Sequence, residues 1–193
     1  MKLAIIDYNA GNTQSVIFAL NRLGIEPVLT ADHAELQSAD KVILPGVGHA
    51  RSAMDALIYK GLDKLIPELK QPVLGICLGQ QLMCRFSEEG NTDCLGIFDL
   101  PVKLFAPTEK VPHMGWNQVD QLKGKLFEGI DSGEYFYHVH SYYVPLSEFA
   151  TAQCDYILPF STALNRDNFY ATQFHPEKSG KAGESVLRNF IGL

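Results

Sequence analysis

Val73-Leu74-Gly75-Ile76-Cys77-Leu78-Gly79-Gln80-Gln81-Leu82-Met83 is the stretch on which the reading of this chain turns. Its first four residues are a short apolar run, as expected of a strand buried on both faces. From Leu78 onward the apolar residues Leu82, Met83 and Phe86 fall instead at helical spacing. Cys77 stands between the two periods, with Gly75 and Gly79 two residues away on either side. A strand that becomes a helix across one residue must turn sharply, and glycines leave room for that turn and for a substrate to approach the sulfur. A thiol there sits at a helix N-terminus, where the dipole favours thiolate. The backbone N–H of Leu78 is expected to face the same space and to donate to an oxyanion. The competing reading is a small buried hydrophobe at a strand end, the usual state of a free cysteine. The strand–turn–helix context favours the nucleophile. Cys84 and Cys94 lack that context and are expected to be structural.

Outward from this turn the same alternation recurs. Leu3 to Ile6 is another apolar strand, followed by a loop from Asp7 to Asn12. Thr13 is expected to cap a helix carrying Val16, Ile17, Leu20 and Leu23, which Gly24 stops. Ile25 to Thr30 and Val42 to Leu44 read as strands, and Leu62, Leu65, Ile66 and Leu69 mark a further helix. This order predicts an α/β fold, an open and mostly parallel sheet with helices on both faces. From about Leu100 to Phe174 aromatics, β-branched residues and turn signals take over. Gly115–Val119, Glu134–Val139, Ala150–Cys154 and Phe169–Phe174 read there as antiparallel strands and hairpins, before a last helix near Gly183 to Ile191. No repeat, low-complexity tract or linker interrupts the chain, so a single domain over 1–193 is expected.

Composition excludes several classes. The 193 residues are 46% hydrophobic and 20% charged, with a net charge of −6. No basic run marks a nucleic-acid face. The apolar run at the N-terminus is too short for a signal peptide, and no stretch is long enough to span a membrane. The four cysteines, Cys77, Cys84, Cys94 and Cys154, form no C-x-x-C pair. Free thiols in a reducing cytoplasm, with no metal site, are expected.

The second chemical signal is Phe174-His175-Pro176-Glu177. A residue before proline avoids the helical region, so His175 is held extended. Residues i and i+2 of an extended chain point the same way, which sets the Glu177 carboxylate beside the imidazole. A carboxylate there fixes the tautomer and stabilises the imidazolium. Alone, His-Pro-Glu reads as a polar turn at a strand end. Paired with a cysteine at an elbow, it completes nucleophile, base and orienting group. Pro45-Gly46-Val47-Gly48, at the end of the third strand, can turn a backbone N–H toward a ligand.

Together Pro45-Gly46-Val47-Gly48, Gly75-Ile76-Cys77-Leu78-Gly79-Gln80-Gln81 and Phe174-His175-Pro176-Glu177 resemble the class I, or triad-type, glutamine amidotransferases across the whole chain. The resemblance implies a flavodoxin-like core and hydrolysis of glutamine to glutamate and ammonia, without metal or organic cofactor. It implies Cys77, His175 and Glu177 as the triad, and the amides of Val47 and Leu78 as the oxyanion hole. It implies a glutamine pocket that includes Gly46, Gly48, Gln81, Ser141 and Tyr142. The runs Asp7-Tyr8-Asn9-Ala10-Gly11-Asn12, Pro112-His113-Met114-Gly115-Trp116-Asn117, His140-Ser141-Tyr142 and Glu177-Lys178-Ser179 narrow it to one branch of the family. That branch implies a heterodimer with a (β/α)₈-barrel synthase subunit, which makes imidazole glycerol phosphate and aminoimidazole carboxamide ribotide in histidine biosynthesis. Asn12, Met114, Gly115, Trp116, Asn117, Tyr137 and Lys178 match positions that meet this synthase. By residue type alone Trp116 reads equally well as a core tryptophan packing a hairpin. The branch often has glycine where this chain has Asn9, and asparagine tolerates the left-handed backbone such a loop uses.

Other readings remain open. One is the glutaminase subunit of another amidotransferase, such as that of pyridoxal phosphate synthesis, whose oxyanion strand usually reads P-G-G-E-S. Others are a non-catalytic module on the same fold, a cysteine peptidase and a glutamyl hydrolase.

Overall fold

The computed structural model describes residues 1–9 and 13–193. Its first part alternates β1 (Leu3–Ile6), α1 (Thr13–Arg22), β2 (Val28–Thr30), α2 (His33–Ser38), β3 (Lys41–Leu44), α3 (Ala50–Tyr59), α4 (Leu62–Leu65), β4 (Val73–Ile76) and α5 (Leu78–Met83). Strands then dominate, with β5 (Cys84–Ser87), β6 (Thr92–Asp93), β7 (Phe98–Leu104), β8 (His113–Asp120) and β9 (Glu134–His140). β10 (Tyr142–Tyr143), β11 (Ala150–Tyr156), β12 (Leu158–Arg166) and β13 (Phe169–Thr172) follow, and α6 (Gly180–Gly192) closes the chain.

Among the described residues, nine strands form one sheet in the order β2-β1-β3-β4-β13-β12-β11-β8-β9. Pairing is parallel from β2 to β13 and antiparallel from there to β9. The junction is β13, parallel to β4 on one side and antiparallel to β12 on the other. Strands β10, β7, β5 and β6 form a second, smaller sheet, which no sequence signal marks.

The parallel half is apolar because both of its faces are covered. Leu3, Ile5, Ile43, Leu74 and Ile76 pack on one side with Val16 and Leu20 of α1 and Val186, Leu187 and Phe190 of α6. Ala4, Ile6, Val42, Leu44 and Val73 pack on the other with Met54 and Leu57 of α3 and Leu82 and Met83 of α5. Burying each large aliphatic side chain stabilises the fold by about 1.5–3 kcal/mol before entropy is counted. Strands covered in this way lose the alternation of half-exposed ones, which is why they read as continuous runs.

Some boundaries differ from the sequence reading. α5 stops at Met83, and Phe86 lies in β5 rather than on a helical stripe. The segment at Leu62–Leu69 is a short α-helix followed by a 3₁₀ turn at Ile66–Glu68. Pro67 lacks the N–H that would carry the α-helix onward. β12 lies between β11 and β13 and buries Ser161 and Thr162 together with Phe160, Ala163 and Leu164. Two hydroxyls inside the strand hide its apolar signal.

Candidate active site

Cys77 joins β4 to α5 with φ 53° and ψ −105°, a backbone position that a non-glycine residue rarely takes. Its N–H donates to the Thr172 carbonyl at 2.7 Å, which ties the elbow to β13. The surrounding glycines serve close packing more than substrate access. A Cβ on Gly79 would lie 2.0 Å from the Leu44 carbonyl oxygen, and one on Gly75 2.8 Å from that of Gly79. With hydrogens there instead, α5 can rest directly on β3 and β4.

β13 carries the chain onward to His175, which is extended at φ −98° and ψ 96°. Pro176–Lys178 then forms a 3₁₀ turn, so Glu177 reaches back from a turn rather than along a continued strand. His175 Nδ1 lies 2.8 Å from Glu177 Oε1, with both side chains almost wholly buried. The His175 backbone is fixed on both sides. Its N–H donates to the Tyr137 carbonyl at 2.9 Å, and its carbonyl accepts from the Ser179 hydroxyl at 2.6 Å. That hydroxyl also accepts from the Tyr137 N–H at 2.9 Å.

Burial pulls the His175 imidazole toward neutrality. Cys77 and Glu177 together outweigh it and push the imidazole up to about 10. Among the described residues Nε2 has no conventional hydrogen-bond partner. The arrangement is a buried base with one nitrogen fixed on a carboxylate and the other left for the reacting groups. Cys84 and Cys154 are buried and Cys94 is half-buried. Burial raises all three thiols, with Cys94 and Cys154 pushed up to about 12, so none of them offers a ready thiolate.

Cys77 opens onto a cavity of about 360 Å³. Val47, Gly48, Leu78, Gln81, Ser141 and Tyr142 line it, whereas Gly46 does not. Gly46 lies behind, where a Cβ would meet the Tyr8 hydroxyl at 2.6 Å. Gln81 Nε2 donates to Gln173 Oε1 at 3.0 Å and to the Tyr142 carbonyl at 3.3 Å, and Gln173 Nε2 reaches Cys77 Sγ at 3.7 Å.

The Leu78 N–H donates to the Gly46 carbonyl at 3.4 Å. The amide expected as an oxyanion donor is therefore engaged within the glycine segment. The Tyr8 hydroxyl donates to the Pro45 carbonyl at 2.6 Å and holds the start of that segment. Asn9 adopts φ 64°, the left-handed backbone expected of it.

Four cavity residues, Glu89, Pro112, Val139 and His140, carry no site role in the sequence reading. Glu89 arrives from the β5–β6 turn, and its Oε2 accepts the Ala50 N–H at 2.6 Å at the start of α3. In sequence Glu88-Glu89 looks like an ordinary polar turn, and no local signal marks it. His140 opens the His-Ser-Tyr run, in which only its neighbours Ser141 and Tyr142 match pocket positions.

The residues matched to a partner surface gather on the β8–β9 edge. Cross-strand register sets Trp116 beside Tyr137 and Met114 beside Val139. Trp116 is 55% exposed and Met114 60%, so Trp116 is no core tryptophan. Its ring meets Tyr137 edge-on at 6.2 Å. Gly115 takes φ 138°, Asn117 follows Trp116 on β8, and Lys178 ends the 3₁₀ turn after His175. Asn12 lies outside the described residues. Val139 also lines the cavity, so the exposed aromatic strip runs up to the site.

Residues 4–192 match the family described as Glutamine amidotransferase class-I. The chain is 64% identical over 196 aligned positions to the imidazole glycerol phosphate synthase subunit HisH of Bacteroides fragilis strain YCH46, with both chains covered completely. The protein of the same name from Escherichia coli K12 is 48% identical, again with both chains covered completely. Among solved structures, a putative GMP synthase subunit from Thermoplasma acidophilum superposes with a TM-score of 0.79 at 24% identity, covering 100% of this chain and 92% of that one. PurLQS from Thermotoga maritima gives 0.75 at 15% identity, covering 99% and 97%. These two likenesses show a shared fold.

Proposed function

The chain belongs to the class I glutamine amidotransferase family, and from that premise we propose that it hydrolyses glutamine to glutamate and ammonia for a synthase subunit of histidine biosynthesis. That subunit is a (β/α)₈ barrel that makes imidazole glycerol phosphate and aminoimidazole carboxamide ribotide. The observation that carries the reading is the buried His175–Glu177 pair set against Cys77, where the elbow opens on a cavity. The full-length likeness to subunits named for imidazole glycerol phosphate synthase supports the choice of acceptor reaction.

In the proposed cycle the Cys77 proton already rests on His175 Nε2, whose pKa of about 10 keeps it there, and the Cys77 thiolate attacks the side-chain amide carbon of glutamine. Amides of Val47 and Leu78 receive the developing oxyanion, and one such donor is worth about 3 kcal/mol. His175 returns the proton to the departing nitrogen, and ammonia leaves. Water then gives a proton to His175 and attacks the thioester, and the collapse frees glutamate and restores the thiolate beside protonated His175. Glu177 keeps the imidazole in one tautomer throughout. Gln81, Ser141 and Tyr142 hold glutamine, and Glu89 sets a carboxylate where its α-ammonium can pair. The bond from Leu78 N–H to the Gly46 carbonyl must open before the oxyanion site is complete, which assigns the isolated chain a low basal rate.

The test is ammonia release from free glutamine by the chain mixed with the purified barrel subunit. Cys77→Ala is expected to abolish release while the chain stays folded, and Cys84→Ala to preserve it. Retention of a tenth of wild-type turnover by Cys77→Ala would sink the covalent mechanism. Trp116→Ala is expected to leave the melting temperature of the free chain nearly unchanged and to weaken the complex or uncouple glutamine hydrolysis from synthesis, since aromatic anchors carry much of an interface's energy. A large stability loss with normal coupling would remove Trp116 from the interface.

A further inference from the structure

The inner face of the β8–β9 hairpin carries three buried histidines, His113, His138 and His140. Two of them form a chain of hydrogen bonds leading to the cavity wall. Asn117 Nδ2 lies 3.2 Å from His113 Nε2, His113 Nδ1 lies 3.0 Å from His140 Nε2, and His140 Nδ1 lies 2.7 Å from the Tyr142 carbonyl. A carbonyl only accepts, so His140 Nδ1 bears the proton. Burial holds both imidazoles neutral, with His113 pushed down to about 4 and His140 to about 3. His140 Nε2 is therefore bare and accepts from His113 Nδ1–H, and His113 Nε2 accepts from Asn117. Every proton in the chain has one place.

The ring of His113 cannot turn. Tyr156 stacks on it at 4.1 Å and 13°, and His138 stacks at 4.8 Å and 24°. His138 is itself fixed through Nε2 to the Thr162 hydroxyl at 2.9 Å. The Tyr142 carbonyl at the far end also accepts from Gln81 Nε2 at 3.3 Å. Gln81 and Tyr142 both line the cavity, and His113 does not.

We propose that His113 and His140 form a positioning pair that sets the Tyr142 carbonyl, and through it the Gln81 amide, in the geometry that receives glutamine. The proposal rests on the reading of the cavity as a glutamine site. The pair moves no proton in the reaction. His113 acts only through His140, from outside the cavity, and its effect belongs to substrate binding rather than to the chemistry at Cys77.

The experiment uses the full chain with its barrel partner and compares His113→Phe, His113→Gln and His113→Asn. Phenylalanine keeps the stacked ring and removes the donor. Glutamine keeps a polar group toward Asn117 and places nothing at Nδ1, which gives a second donor-free variant if the first does not fold. Asparagine restores a donor near the Nδ1 position. The KM for glutamine is expected to rise about tenfold in the two donor-free variants, as the loss of one well-placed hydrogen bond would cause, with kcat within about threefold of wild type. His113→Asn is expected to recover most of the loss. In parallel, the concentration of a chloroketone analogue of glutamine giving half-maximal alkylation of Cys77 is expected to rise by a similar factor, while alkylation by iodoacetamide keeps its rate. An unchanged KM, a loss confined to kcat, or a loss that asparagine does not recover overturns the positioning role. Absence of ammonia release by the wild-type complex would instead sink the glutaminase reading, so the two failures are distinguishable.

Discussion

His175 and His140 are buried in the same site, and they are driven to opposite protonation states. Burial pulls both toward neutrality, because a low-dielectric interior penalises the cation. Beside His175 stand Cys77 and a carboxylate, and these push it up to about 10. Beside His140 stand a carbonyl dipole and the neutral imidazole of His113, and His140 falls to about 3. Burial in both cases thus leaves an imidazole able to carry a proton through a reaction and one that serves as fixed framework. The charge of the nearest partner decides which.

The largest break in this comparison comes from removing the base. His175→Ala is expected to lower kcat on the order of 10⁴-fold or more, and Glu177→Gln to cost roughly a hundredfold less than that. The base moves protons, whereas the carboxylate orients it. Single-turnover thioester formation and steady-state ammonia release measure both. Near-zero losses for the two variants would return His-Pro-Glu to an ordinary polar turn.

A smaller effect is expected at the other charged wall of the cavity. Glu89→Gln is isosteric and removes only charge. The Glu89 carboxylate should therefore show itself as a rise in KM for glutamine of about 10- to 100-fold, with kcat nearly kept. Glutamine analogues lacking the α-amino group should bind wild type and variant alike. A variant that discriminates between them as strongly as wild type would exclude Glu89 from ammonium recognition.

The same contrast explains what can be read from the sequence. The elbow is legible because one residue, Cys77, separates two periods, and because the parallel strands beside it are covered on both faces. His175 and Glu177 are legible because they are two residues apart. Glu89 and the His113–His140 pair are not, because their meaning depends on pairings that only the folded sheet creates. β8 and β9 bring positions 113 and 140 opposite each other, and the β5–β6 turn carries Glu89 to the start of α3. The engaged Leu78 amide is equally hidden. Its acceptor, the Gly46 carbonyl, comes from a different strand end, and strand-to-helix logic alone makes every such N–H look free.

The smallest expected effect is on stability, and it separates the two histidine environments by sign. His175 has a folded value of about 10 against an ordinary 6.5. Its contribution is fully present below about pH 6.5 and is lost as pH rises toward 10. His113 and His140 are displaced the other way, to about 4 and about 3. The unfolded chain protonates these two first, so their contribution is complete above about pH 6.5 and is lost as pH falls. Each such group tilts stability by up to about 1.4 kcal/mol per pH unit within its window. Denaturant unfolding from pH 5 to 9 should therefore peak near the ordinary histidine value. The acid side is best read above pH 5, before most carboxylates protonate. Glu177→Gln should shallow the alkaline limb, part of which Cys77 still sustains, and leave the acid one. His113→Phe should shallow the acid limb by about one group's slope and leave the alkaline one. If both variants changed the same limb, the two histidines would not stand in opposite states, and the contrast between base and framework would fail.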